Sequence, residues 1–140
     1  MEKTAGIIGL GVLGSAIAQY LLETGYQING YDVSDDALQK LSRFPNFHTC
    51  NSTSEVASSQ PISILCLPSA ASLEAVMMSL NDAQLNENIA SPLLIELSTL
   101  PVDAKQIAQD IAIKQSLRIV DSPVSGNRIV ALKGGTIYWY

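Results

Sequence analysis

Gly9-Leu10-Gly11-Val12-Leu13-Gly14 follows an apolar run and opens an amphipathic one, and an acidic residue, Asp32, stands about 20 residues beyond it. Each residue type has its own physical reason. Gly9 permits a tight turn out of a strand, Gly11 removes the Cβ that would hold the backbone away from a pyrophosphate, and Gly14 lets the following helix pack closely on the sheet. The phosphates would rest on the helix N-terminus, where unpaired N–H groups and the macrodipole favour negative charge. The spacing therefore points to a dinucleotide, with Gly9, Leu10, Gly11, Val12, Leu13 and Gly14 as its binding loop. A carboxylate at Asp32 accepts hydrogen bonds from both ribose hydroxyls and repels a 2′-phosphate, which favours NAD over NADP. The plainer alternative for Asp32 is a turn residue beside Ser34, Asp35 and Asp36. His48, the single histidine, falls in a short strand away from this edge and reads as a surface or satisfied histidine. Cys50 and Cys66 lack CxxC spacing and read as reduced and buried; a disulfide or metal site is the alternative, and no metal is expected.

These residues need a scaffold that holds them at one edge. The 140 residues suit a single domain, 1–140, with a real core, and are too few for a cofactor domain plus a separate substrate domain. With 47% apolar and 15% charged residues, the composition fits a sheet covered on both faces. A net charge of −5, with scattered basic residues, argues against nucleic acid or an anionic membrane as partner. No apolar run reaches the roughly 20 residues needed to span a bilayer. Nothing reads as a targeting segment, so a cytoplasmic location is expected.

The apolar patterning alternates between strands and helices. Strands are expected at Thr4–Ile8, Gln27–Tyr31, Phe47–Cys50, Ile62–Leu67, Leu93–Leu97, Leu117–Val120 and Thr136–Tyr140. Helices are expected at Val12–Thr24, stopped by Gly25, and at Asp35–Leu41 behind Ser34 as N-cap. Further helices are expected at Ser52–Ala57, Ser69–Leu80 and Val102–Lys114, the last with Pro101 in its first turn, and Asn81–Ser91 reads as a polar loop. The implied fold class is α/β: a Rossmann-type, doubly wound, mainly parallel sheet in three layers.

Four segments, in order along nearly the whole chain, resemble the N-terminal part of the β-hydroxyacid dehydrogenases. That family includes 3-hydroxyisobutyrate, tartronate semialdehyde and 6-phosphogluconate dehydrogenases and imine reductase-like relatives. Ile7-Ile8-Gly9-Leu10-Gly11-Val12-Leu13-Gly14 is similar to the family's IGLGxMG opening, with Leu13 for Met. Cys66-Leu67-Pro68 resembles the strand-end Leu-Pro that meets the nicotinamide half. Glu96-Leu97-Ser98-Thr99-Leu100-Pro101 resembles DxSTxxP, with Glu96 for Asp, and Asp121-Ser122-Pro123-Val124-Ser125-Gly126 resembles the substrate loop DAPVSGG.

The resemblance implies cofactor contacts at Leu67, Pro68, Ser98 and Thr99, and substrate-carboxylate contacts at Ser125 and Gly126. Each has a plainer alternative: Pro68 as a strand stop, Ser98 and Thr99 as caps of the helix after Pro101, and Ser125-Gly126 as a simple turn. The implied activity is hydride transfer between a nicotinamide cofactor and a small 3-hydroxy or 2-hydroxy acid. Asn127 and Val130 depart from the small residues of the family's loop. None of Lys3, Lys40, Lys105, Lys114 and Lys133 lies in the family's GxxxNxxK-type motif. The expectation is therefore an NAD-binding domain, short at its C-terminal edge and without the family's helical domain. It has no catalytic residue of its own and binds cofactor without efficient turnover. The alternative is a non-catalytic nucleotide-binding or interaction module, or the product of a shortened gene. In either case Thr136–Tyr140 would offer an edge strand for self-association.

Overall fold

The computed structural model describes residues 2–80, 91–124 and 128–134. The expected strand Thr136–Tyr140, the substrate-loop residues Ser125 and Gly126, and Asn127 lie outside the described residues. So does nearly all of the expected loop Asn81–Ser91.

The order is β1 (Thr4–Ile8), α1 (Val12–Glu23), β2 (Gln27–Tyr31), α2 (Asp35–Leu41), β3 (Phe47–Thr49) and α3 (Thr53–Ser59). It continues with β4 (Ile62–Leu65), α4 (Ala70–Ser79), β5 (Leu93–Glu96), α5 (Val102–Lys114), β6 (Arg118–Asp121) and α6 (Arg128–Leu132). The strands form one parallel sheet in the order β3-β2-β1-β4-β5-β6. The chain runs outward from β1 through β2 to β3, then returns to the opposite side of β1 at β4. That reversal opens a crevice at the carboxyl ends of β1 and β4, where open α/β sheets bind ligands.

Alternation in the strands divides the core. Ala5 and Ile7 of β1 face one layer with Leu22, Ile28 and Leu41, beneath α1 and α2. Ile8 faces the other with Val56, Leu65, Leu73, Met77, Leu94 and Ala108, beneath α3, α4 and α5. Burial on both faces is why the central strands read as continuous apolar runs.

The local chemistry of the ends also follows the residues. Ser34, Ser52 and Ser69 each accept a backbone N–H of the first turn of α2, α3 and α4. Gly25, at φ +92°, ends α1: its N–H reaches Leu22 O at 3.1 Å and the Tyr26 N–H reaches Leu21 O at 2.9 Å.

The structure differs from the sequence pattern in places: β4 stops at Leu65 rather than Leu67, α3 runs to Ser59 rather than Ala57, β6 is shifted by one residue to Arg118–Asp121, and α6 is an additional helix. α6 packs on α1, and Gly134, at φ +64° after its last turn, lies against the Tyr20 ring.

Candidate functional site

A cleft of about 680 Å³ lies at the carboxyl ends of β1, β2, β4 and β5. Gly9, Gly11, Val12, Leu13, Gly14, Asp32, Leu67, Pro68, Ser98 and Thr99 line it, together with Tyr31, Val33, Cys66, Ser72 and Val124. Leu10 is the exception among the expected loop residues. Its side chain is buried in the core beneath α1, and only its backbone N–H serves the site, donating to Asp32 Oδ2 at 2.7 Å.

The three glycines act in different ways. Gly9, at φ +95°, would place a Cβ 2.1 Å from the Cys66 carbonyl oxygen, and Gly14 would place one 2.1 Å from the Gly9 carbonyl oxygen. These two fix how tightly the turn and helix meet the sheet. A Cβ on Gly11 would meet no atom within 4 Å, so its missing side chain leaves open cleft. α1 also starts without a side-chain cap and without an acidic residue in its first turn. The Val12 and Leu13 N–H groups thus remain available to an anion that approaches over Gly11, while the Gly14 N–H is directed at the Cys66 thiol.

Asp32 does more than either sequence reading assigned it. Besides Leu10 N–H, its other oxygen accepts Ser34 N–H at 2.8 Å, so the carboxylate ties the glycine loop to the turn after β2. Carboxylate oxygens accept more than one hydrogen bond, which leaves capacity for ribose hydroxyls.

At the opposite end of the cleft, Ser98 does not cap α5. That helix begins at Pro101 as N-cap, with no side-chain cap. Ser98 Oγ instead accepts Leu67 N–H at 3.0 Å, which joins the end of β4 to the end of β5. Thr99 is exposed at the rim. Beneath Ser98 lies a group that motif reading missed. Fully buried Glu96 pairs with Lys105 of α5, and Lys105 Nζ also reaches Ser98 O and Asp121 Oδ1, both at 2.6 Å. The available signal was a glutamate in the otherwise apolar run Leu93 to Leu97, since a buried charge requires a partner.

Cys66 was expected to be buried; it is half-buried and lines the cleft. Burial, then the Glu96 carboxylate, pushes its thiol up to about 11 against the opposing effect of Gly14 N–H. At pH 8 it should alkylate roughly a hundredfold more slowly than an unperturbed thiol, because only the thiolate reacts. The rate should climb about tenfold per pH unit towards pH 10, read by peptide mass spectrometry. A plateau by pH 9 would contradict the placement.

His48 is exposed on edge strand β3, outside the cleft. His48, Cys50 and Glu55 bring one ligand atom each to within 4.8 Å of one another. The Glu55 carboxylate there already accepts Asn51 N–H at 2.6 Å, and burial followed by Glu55 pushes the Cys50 thiol up to about 11. Among the described residues, no helix is long and apolar enough to cross a membrane.

Residues 4–139 match the description of the NAD binding domain of 6-phosphogluconate dehydrogenase. L-threonate dehydrogenase of Cupriavidus necator is 28% identical over 134 residues, covering 96% of this chain and 44% of that protein. A probable mitochondrial 3-hydroxyisobutyrate dehydrogenase of Dictyostelium discoideum is 32% identical over 126 residues, covering 89% of this chain and 38% of that protein. The solved Mycobacterium tuberculosis 3-hydroxyisobutyrate dehydrogenase with L-serine has the same fold, with a TM-score of 0.83 at 22% identity over 95% of this chain and 44% of that one. The chain thus spans less than half the length of the relatives it matches.

Proposed function

Because the chain belongs to the family of the 6-phosphogluconate dehydrogenase NAD-binding domain, we propose that its cleft holds NAD extended across the β1–β4 crevice. In this arrangement Asp32 takes the adenosine ribose and the N-terminus of α1 takes the pyrophosphate over Gly11. Leu67, Pro68, Ser98 and Thr99 flank the nicotinamide half. The observation that carries the reading is the uncapped start of α1, which faces open cleft at Gly11 with the Asp32 carboxylate at one end. Val12 and Val33, 72% and 91% exposed at the cleft, offer apolar surface that a bound nucleotide would cover.

Bound nicotinamide supplies hydride chemistry, and the protein supplies position. As in the full-length relatives, we assign hydride transfer between the nicotinamide and the hydroxyl-bearing carbon of a small 3-hydroxy or 2-hydroxy acid, with Ser125 and Gly126 as the residues for its carboxylate. The hydroxyl proton needs an acid–base group. Among the described residues lining the cleft there is no lysine or histidine. On this reading the described cleft binds and orients the cofactor.

Asp32→Asn tests the ribose assignment. Loosening the turn should weaken NADH and NADPH alike, so the ratio of their Kd values isolates the ribose contact. The expected preference for NADH should shrink by about tenfold or more, the scale of one hydrogen bond to a charged group. An unchanged ratio would leave Asp32 as a turn residue only.

A further inference from the structure

We propose that Lys105 is a positioning residue for the nicotinamide half of the cleft, acting through Ser98 and the segment after Asp121. This rests on the reading of the cleft as an NAD site. Lys105 sits on α5 outside the cleft, yet its ammonium joins three pieces of chain at the cleft edge. It pairs with Glu96 at the end of β5, donates to the Ser98 carbonyl in the following loop, and pairs with Asp121 at the end of β6.

The connection continues on both sides. Glu96 Oε1 accepts Ser98 N–H at 2.8 Å, so Ser98 is held at both its N–H and its C=O by one ion pair. Ser98 Oγ then accepts Leu67 N–H, which fixes the residue before Pro68. Beyond Asp121, Val124 N–H reaches Leu97 O at 3.3 Å and Val124 lines the cleft. The carboxyl ends of β4, β5 and β6 are thereby joined through one ammonium. The adenosine end is tied separately, by Asp32 to Leu10 and Ser34. Two independent clamps imply two separable effects on binding.

The buried charge is not needed for the layering itself, since the apolar core beneath α5 already includes Leu94, Ala108, Ala112 and Leu117. Its distinctive geometry is to aim three acceptors on different elements at one donor. Lysine suits this because its ammonium presents three donors that rotate freely.

The test compares ADP, which fills only the adenosine and phosphate half, with NADH, by titration of this chain. Lys105→Met should raise the Kd for NADH at least about tenfold while ADP changes less than about twofold. The gain in nicotinamide fluorescence on binding should fall as well. Glu96→Gln combined with Lys105→Met removes both buried charges, so it guards against a variant that merely fails to fold. It should keep normal ADP binding and still bind NADH weakly. Lys105→Arg should recover part of the NADH affinity. Parallel weakening of ADP and NADH, or no change in either, would overturn the positioning role. Wild-type chain that binds neither ligand would overturn the NAD reading and this role with it.

Discussion

Gly9→Ala should lower the melting temperature by about 10 °C and weaken NADH at least about tenfold, whereas Gly25→Ala should cost only a few degrees. Both glycines have nearly the same backbone conformation, φ +95° and φ +92°. Left-handed backbone costs a residue with a Cβ roughly 1–2 kcal/mol at either site. The surroundings differ. A Cβ at Gly25 meets nothing within 4 Å, while one at Gly9 meets the Cys66 carbonyl oxygen at 2.1 Å. That neighbour is backbone, fixed by the Cys66 N–H bond to Ile8 O at 2.9 Å. It can move only if β4 parts from β1, so the total should exceed about 3 kcal/mol. The same displacement would shift the turn that feeds α1, and hence the phosphate cradle. Thermal melts and NADH titrations of the two variants decide the matter. Equal melting points would mean that the close contact at Gly9 relaxes freely.

Lys105→Met should destabilise the fold by about 3–5 kcal/mol, the usual consequence of leaving one partner of a buried pair unpaired. Glu96 is fully buried, so water cannot take over from the lost ammonium. Adding Glu96→Gln should return most of the stability, because the cost lies in the orphaned charge rather than in the missing attraction. Asp121→Asn should cost less than about 1 kcal/mol, since that side chain is 54% exposed and already solvated. Urea unfolding of the three variants measures this order. If Lys105→Met and the double variant unfold at the same midpoint, the buried pair is not the source of the loss.

The glycine loop, Asp32, the serine caps and the strand–helix alternation were legible because each is a local pattern, complete within a few residues or one period. The placement of Leu10 was not, since the two directions of a loop residue follow from the turn itself rather than from its spacing. α6 was missed because Arg128–Leu132 is only five residues long and draws its stability from packing on α1. Gly134 just beyond it, at φ +64°, is a local stop signal. The Lys105 clamp was invisible for another reason. Its members lie 9 and 16 positions apart, and only the parallel pairing of β5 with β6 and the return of α5 bring them together. Ser98 shows the same limit: a hydroxyl before a helix has a plausible local role as a cap, and a neighbouring strand end took it instead.

Binding of NAD in this cleft, with Asp32 reading the ribose, is tested most directly by a fluorescence titration of the purified chain with NADH and, in parallel, NADPH. The structure predicts saturable binding of one NADH per chain, with NADPH weaker by about tenfold or more. Absence of saturable binding, or a preference for NADPH, would contradict it.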